Sequence, residues 1–133
     1  MIADVLLAVA LLSANPAPAT ATPALHPVEQ NIIHYTNIER SRHGLPPLQL
    51  DTNLLQSARR HAAWMANSRS LQHTSAMVAE NIAMGQTSSQ QAVRDWMNSP
   101  GHRANILGRY SRVGAAAYTS SNGSVYWCLQ LLH

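Results

Sequence analysis

The run His73-Thr74-Ser75-Ala76-Met77-Val78-Ala79-Glu80-Asn81-Ile82-Ala83, followed by Trp96-Met97-Asn98-Ser99-Pro100-Gly101-His102-Arg103, is where the chain stops looking generic. It sets two histidines and a glutamate at the edges of structured elements. Upstream of it the pattern is helical. Pro27 fits the first turn of a helix, where a missing N–H costs nothing. Val28, Ile32, Tyr35 and Ile38 then recur at helical spacing, and Gly44 can end the element in a left-handed conformation. Pro46-Pro47 force an extended connection. Asp51 can cap a second helix with the apolar face Leu54, Ala58, Ala62 and Met65, flanked by Leu55 and Ala66. Ser88-x-x-Gln91 reads as a capping box opening a third helix with a stripe of Ala92, Val93, Trp96 and Met97. Ser99-Pro100 reads as a cap and first-turn proline for a short helix through Leu107, ended by Gly108.

Downstream the period changes. Arg112 to Thr119 and Ser124 to Leu132 read as strands, and Asn122-Gly123 between them is a strong hairpin signal. A two-residue turn with positive φ at both positions would set Tyr118 opposite Trp127 and Ala116 opposite Leu129. Val125, Trp127, Leu129 and Leu131 share one face, which is expected to be buried. Helices first and a terminal hairpin last predict an α+β fold, with helices packed on an antiparallel sheet.

The chain has 133 residues, of which 46% are hydrophobic, so it holds one domain at most. A domain of this size buries roughly two thirds of its unfolded surface and needs no covalent staple. The single cysteine, Cys128, makes no internal disulfide, so an oxidising compartment is not used for stability. Cys128 falls on the face of Tyr126 and Gln130 and reads as a buried, inert thiol. All nine basic residues are arginines, and the net charge is +3. They are scattered and aromatics are few, which does not match a nucleic-acid platform. A weak attraction to acidic wall polymers or anionic lipid remains.

Val5 to Leu12 is an apolar run of signal-peptide length, too short to span a bilayer, and the small-residue sites Ala17-Pro18-Ala19 and Ala19-Thr20-Ala21 follow it. No Lys or Arg precedes the run. Residues 1–25 are therefore read as a signal peptide and Ala/Pro/Thr-rich spacer, and residues 26–133 as the domain. The expected location is secreted or extracytoplasmic, in the cell envelope.

From Pro27 to Leu132 the chain resembles the CAP superfamily: the cysteine-rich secretory proteins, antigen 5 and pathogenesis-related 1 proteins, in their short bacterial secreted form. The anchors, in order, are Asn37-x-x-Arg40, Gly44-Leu45-x-x-Leu48, the Leu54 to Met65 helix, Leu71-x-His73-x-Ser75, Glu80-Asn81-Ile82-Ala83, Trp96-Met97-x-Ser99-Pro100-Gly101-His102-Arg103-x-Asn105-Ile106-Leu107, and Tyr126-Trp127-x-x-Gln130. The resemblance implies a three-layer α-β-α sandwich with a central antiparallel sheet. It also implies a cleft around two histidines and two acidic residues. By position His73 and His102 are the histidines and Glu80 the first acid. The second acidic position is Ser99 here, and Asp95, one turn earlier on the same face, is the carboxylate that would replace it. Ala79 stands where the family usually has glycine.

Imidazoles suit zinc and other late divalent ions, so His73 and His102 are the candidate metal ligands, with no cofactor demanded by the sequence. Glu80 would orient a histidine or act as a base. Ser75 is a hydroxyl near His73, and Asn81 is expected to satisfy backbone groups near Glu80. With Ser99 these residues form the expected ligand-binding cleft. Arg40 reads as structural, Trp64, Trp96 and Trp127 as core or cleft wall, and His34, His43 and His61 carry no assigned role. The expected function is non-enzymatic binding, by a monomer, of a lipid, sterol-like or cell-envelope ligand. A metal-dependent hydrolase or peptidase using His73, His102 and Glu80 is one alternative, and a structural or assembly module is another.

Overall fold

The computed structural model describes residues 24–133. The targeting run Val5 to Leu12 and its Ala-x-Ala sites lie outside the described residues. Element order is α1 (Pro27–Arg42), β1 (Gln49–Leu50), α2 (Thr52–Ser68), β2 (Ala79–Met84), α3 (Ser89–Met97), α4 (Pro100–Ile106), β3 (Arg112–Thr119) and β4 (Val125–Leu132). The strands form one sheet in the order β1-β3-β4-β2. The three long strands are antiparallel, as expected. The two-residue β1 joins β3 in parallel, so the sheet is mixed.

Alternation along the strands builds the layers, because successive side chains leave opposite faces of the sheet. On one face Val113, Ala115, Trp127, Leu129 and Leu131 pack with Ile32 of α1, Val93 and Trp96 of α3, and Ile106 of α4. On the other, Ile82, Ala116, Tyr126 and Cys128 pack with Ala58, Ala62 and Met65 of α2. The result is an α-β-α sandwich with β4 buried on both faces, not on one. Gly114 of β3 sits where α2 comes closest. A Cβ there would fall 2.2 Å from the Leu54 carbonyl carbon, so only glycine admits the helix at this height.

The helix boundaries follow their end residues. Asp51 accepts from Leu54 N–H at 3.0 Å and starts α2, and Gly44 turns the chain after α1 at φ +71°. Ser88 accepts from Gln91 N–H at 3.1 Å. The reciprocal half of that box differs from expectation, since the Gln91 side chain accepts from Thr87 N–H instead. Ser99 stands at the N-cap of α4, but its hydroxyl turns to His102 and caps no N–H.

The hairpin register departs from expectation by one residue. Tyr118 pairs with Tyr126 and Ala116 with Cys128. Gly123 takes φ +91° and Asn122 does not join it, so the loop is Ser121-Asn122-Gly123. Gly123 N–H bonds Ser120 O and Ser120 N–H bonds Ser124 O, which is a turn followed by one left-handed residue. The Asn122 side chain explains the preference: its Oδ1 accepts from the Ser120 hydroxyl and from Ser124 N–H. That satisfies the longer loop locally.

Two arginines tie the layers. The Arg40 guanidinium, 2% exposed, donates to the carbonyls of Pro46, Ile106, Gly108 and Tyr110. It joins the end of α1 to the end of α4, where unpaired carbonyls gather negative potential. Arg59 of α2 bonds both carboxylate oxygens of buried Glu29 in α1 at 2.7 Å, and also Ala24 O.

Candidate functional site

The site is organised by two consecutive residues of the edge strand β2. Glu80 and Asn81 project to opposite faces, as strand geometry requires. Glu80, facing the α2 layer, holds His73. Asn81, facing the other layer, holds the segment carrying His102.

The Glu80 side chain is 3% exposed. Oε1 accepts from Thr74 N–H and sits beside His73 Nδ1, both at 2.9 Å. Oε2 accepts from Gln130 Nε2 at 3.0 Å and from the Cys128 thiol at 3.5 Å. Gln130 is the direct cross-strand partner of Glu80. Burial works to raise the Glu80 pKa. The donors from Thr74, Gln130 and His73, with His61 nearby, outweigh it and hold the carboxyl below the ordinary glutamate value. An ionised carboxylate only accepts, so His73 must carry its proton on Nδ1, leaving Nε2 outward. The His73 ring is 61% exposed. Burial and the Glu80 charge push the Cys128 thiol well above its ordinary range, in line with an inert cysteine.

On the other face, Asn81 Nδ2 donates to His102 O at 3.0 Å. Asn81 Oδ1 accepts from Asn105 Nδ2 at 2.9 Å. His102 Nδ1 lies 3.0 Å from Ser99 Oγ, which also leaves its Nε2 free of protein partners among the described residues. Burial lowers the His102 pKa, and repulsion from the imidazole of His73 adds to it. The two rings are delivered by a loop and by α4, from the two sides of β2. The edge of β2 is itself closed. Trp96 Nε1 donates to Ile82 O at 3.1 Å and Asn105 Nδ2 to Glu80 O at 3.3 Å, so the outward carbonyls offer no template for strand addition.

The remaining expectations sort clearly. Asn81 satisfies the backbone of His102 rather than of Glu80. Ser75 is exposed, on the loop beyond His73, and no base bonds its hydroxyl among the described residues. Asp95 is exposed and its carboxylate accepts from Gln86, so it does not stand in at Ser99. Three contributors escaped the sequence reading. Gln130 and Asn105 lie inside motifs whose chemistry is visible only once the strands pair. His61 looks like a helix-surface residue, yet with Trp64, read as core or cleft wall, it lines clefts of about 330 and 430 Å³ beside His73.

A profile of the Cysteine-rich secretory protein family, CAP, matches residues 33–131. The chain belongs to the CAP family. Among its relatives, the uncharacterised protein YkwD of Bacillus subtilis is 33% identical over 147 residues, taking in 90% of this chain and 56% of YkwD. The chain therefore spans about half the length of that relative. An extracellular protein containing an SCP domain from Bacillus anthracis has a similar fold, with a TM-score of 0.67 at 25% identity, covering 84% of this chain and 45% of the other. An outer surface protein of Borrelia burgdorferi shares the fold with a TM-score of 0.69 at 17% identity, covering 80% of this chain and 94% of the other. Among the described residues of this CAP domain, no helix is long and apolar enough to cross a membrane.

The donor set available to a metal can be judged from the same hydrogen bonds. Glu80 has both oxygens occupied, which leaves Nε2 of His73 and Nε2 of His102 as ligands. Among the described residues no three His, Cys, Asp or Glu side chains gather to hold an ion. Two imidazoles alone would leave the other positions of an ion to water or ligand, unlike a closed structural site. In such a site Glu80 would be the carboxylate behind His73 that fixes its tautomer.

Proposed function

We propose that this chain is an exported binding module, with residues 1–25 as its export segment and residues 26–133 as the working domain. Its ligand is a component of the cell envelope, engaged at the cleft formed by His73, His102 and Ser99 with the adjoining Ser75 loop. Glu80 and Asn81 position the two histidines.

The observation that carries this reading is the full commitment of Glu80. A general base needs a free lone pair and a pKa near the operating pH. Glu80 has four donors on its two oxygens and a pKa moved the other way. This speaks against Glu80 as the base of a hydrolase, and Asp95, exposed and bonded to Gln86, is not placed beside it. Extracellular relatives support the location. Of the ligand classes, a lipid or sterol needs a contiguous apolar wall. The clefts beside His73 are open and set one exposed indole among hydrogen-bonding side chains, which favours an envelope polymer over an acyl chain.

Sedimentation with insoluble envelope prepared from the producing organism tests this. The purified chain should pellet with the envelope in a saturable way, and His73→Ala/His102→Ala should reduce the pelleted fraction several-fold. Equal pelleting with and without envelope would overturn the proposal, as would turnover of a peptide or ester substrate abolished by Glu80→Gln.

A further inference from the structure

A trough runs along the outer face of α2 beside the histidine pair. Its two overlapping parts, about 330 and 430 Å³, share His61, Trp64, Thr74 and Ser75. One end reaches His73 and the other reaches Arg60.

Trp64 is 47% exposed, which is unusual for the largest apolar side chain. It is also held. The His61 ring stacks on the indole at 5.7 Å with 12° between planes. His61 Nε2 is in turn 2.6 Å from Gln72 O, so the loop locks the histidine and the histidine braces the tryptophan. The opposite wall is fixed as well, because Thr74 N–H bonds Glu80 and Thr74 Oγ1 accepts from Ala76 N–H. An exposed aromatic plate between two anchored walls is preorganised for a ligand, and little entropy is lost when it binds.

The lining defines the ligand. Trp64 and Ala76 are its only apolar residues; the rest are hydroxyl, amide, imidazole and guanidinium groups. An acyl chain gains free energy only where apolar walls enclose it, and this trough is open and edged by hydrogen-bonding side chains. A single-stranded nucleic acid wants a basic track and several stacking rings, whereas one arginine and one indole line this surface. A pyranose ring has an apolar C–H face and a rim of hydroxyls. It matches a single indole plate surrounded by hydrogen-bonding groups. Arg60 adds a planar donor fork suited to a carboxylate.

We propose that the Trp64 trough is a glycan subsite that takes a carboxylate-bearing pyranose chain, with one ring on Trp64 and a carboxylate at Arg60. This rests on the reading of the domain as an envelope binder and names the chemical class of its ligand.

Tetragalacturonate is the probe. It is titrated calorimetrically into the full chain and into Trp64→Ala, Arg60→Gln and Arg94→Gln. Arg94 is an exposed cation on α3, so its variant matches the charge change of Arg60→Gln away from the trough. The wild type should bind saturably. Trp64→Ala and Arg60→Gln should each weaken binding about tenfold or more, and Arg94→Gln should stay within about twofold. No saturable binding by the wild type overturns the proposal. So does equal weakening by Arg60→Gln and Arg94→Gln, or Trp64-dependent binding to phosphatidylglycerol vesicles in place of the oligosaccharide. If the chain pellets with envelope but ignores tetragalacturonate, the glycan assignment falls alone and the binding-module reading stands.

Discussion

Glu80 Oε1 lies 2.9 Å from His73 Nδ1, and the same oxygen accepts from Thr74 N–H at the same distance. One buried carboxylate thus fixes both the tautomer of the exposed histidine and the backbone that carries it.

Glu80→Gln tests this directly. Four donors converge on the two carboxylate oxygens, and a carboxamide offers only one acceptor oxygen. Its NH₂ group would face donors on one side. The variant is nearly isosteric, yet it should lose about 2–3 kcal/mol of stability, read by urea unfolding. Loop amides from Gln72 to Ala76 should also exchange faster with solvent. A change below about 0.5 kcal/mol would mean that the network contributes little.

Acid behaviour should separate two kinds of carboxylate. Burial works to raise the Glu29 pKa, but the Arg59 fork and His26 N–H overcome it and hold it below the ordinary glutamate value of 4.5. The unfolded chain then binds more protons across this range. The stabilisation is complete above about pH 4.5 and is lost as pH falls through the folded-state value. In Arg59→Ala burial is opposed by His26 alone, so the Glu29 pKa moves up and this acid-linked loss shrinks. That variant should lose about 3 kcal/mol at pH 7. Tm measured from pH 7 to 4 should fall less steeply in the variant than in the wild type.

Arg40→Lys is a conservative change in charge and a poor one in geometry. The guanidinium reaches four carbonyls, one between α1 and β1 and three from the end of α4 toward β3. An ammonium on a flexible stem cannot span them. The expected loss is about 2–4 kcal/mol, seen as a lower denaturant midpoint at unchanged slope.

Much of this arrangement was legible in the sequence. Helix starts and stops were readable because caps are local: Asp51, Ser88, Pro27 and Gly44 act on their immediate neighbours. The hairpin register was not, because Asn122-Gly123 admits two loop lengths and the hydroxyl of Ser120 decides between them. β2 was invisible as a strand. It carries Glu80 and Asn81 at buried positions, and those are tolerated only because Gln130, Thr74, His102 and Asn105 meet them from elsewhere in the chain. His73, Glu80 and His102 were found by resemblance rather than by spacing. The resemblance carried no warning that Glu80 would be fully bonded, and none that Trp64 would stay exposed on a helix whose other face is core.

Zinc titrated into the chain should bind no tighter than about micromolar, since two imidazoles are the protein ligands on offer and structural sites use four. His73→Ala/His102→Ala should abolish it. Nanomolar affinity would show that a further side chain joins the site.

On the proposed reading Glu80 positions His73 and does not act as an acid or base. The most direct test is a pH titration of the Glu80 side-chain carboxyl carbon by NMR in the folded chain. The expected result is a carboxylate that stays ionised from neutrality down to below pH 4.5. A midpoint raised above about 6, where a general base or acid would be poised, would contradict it.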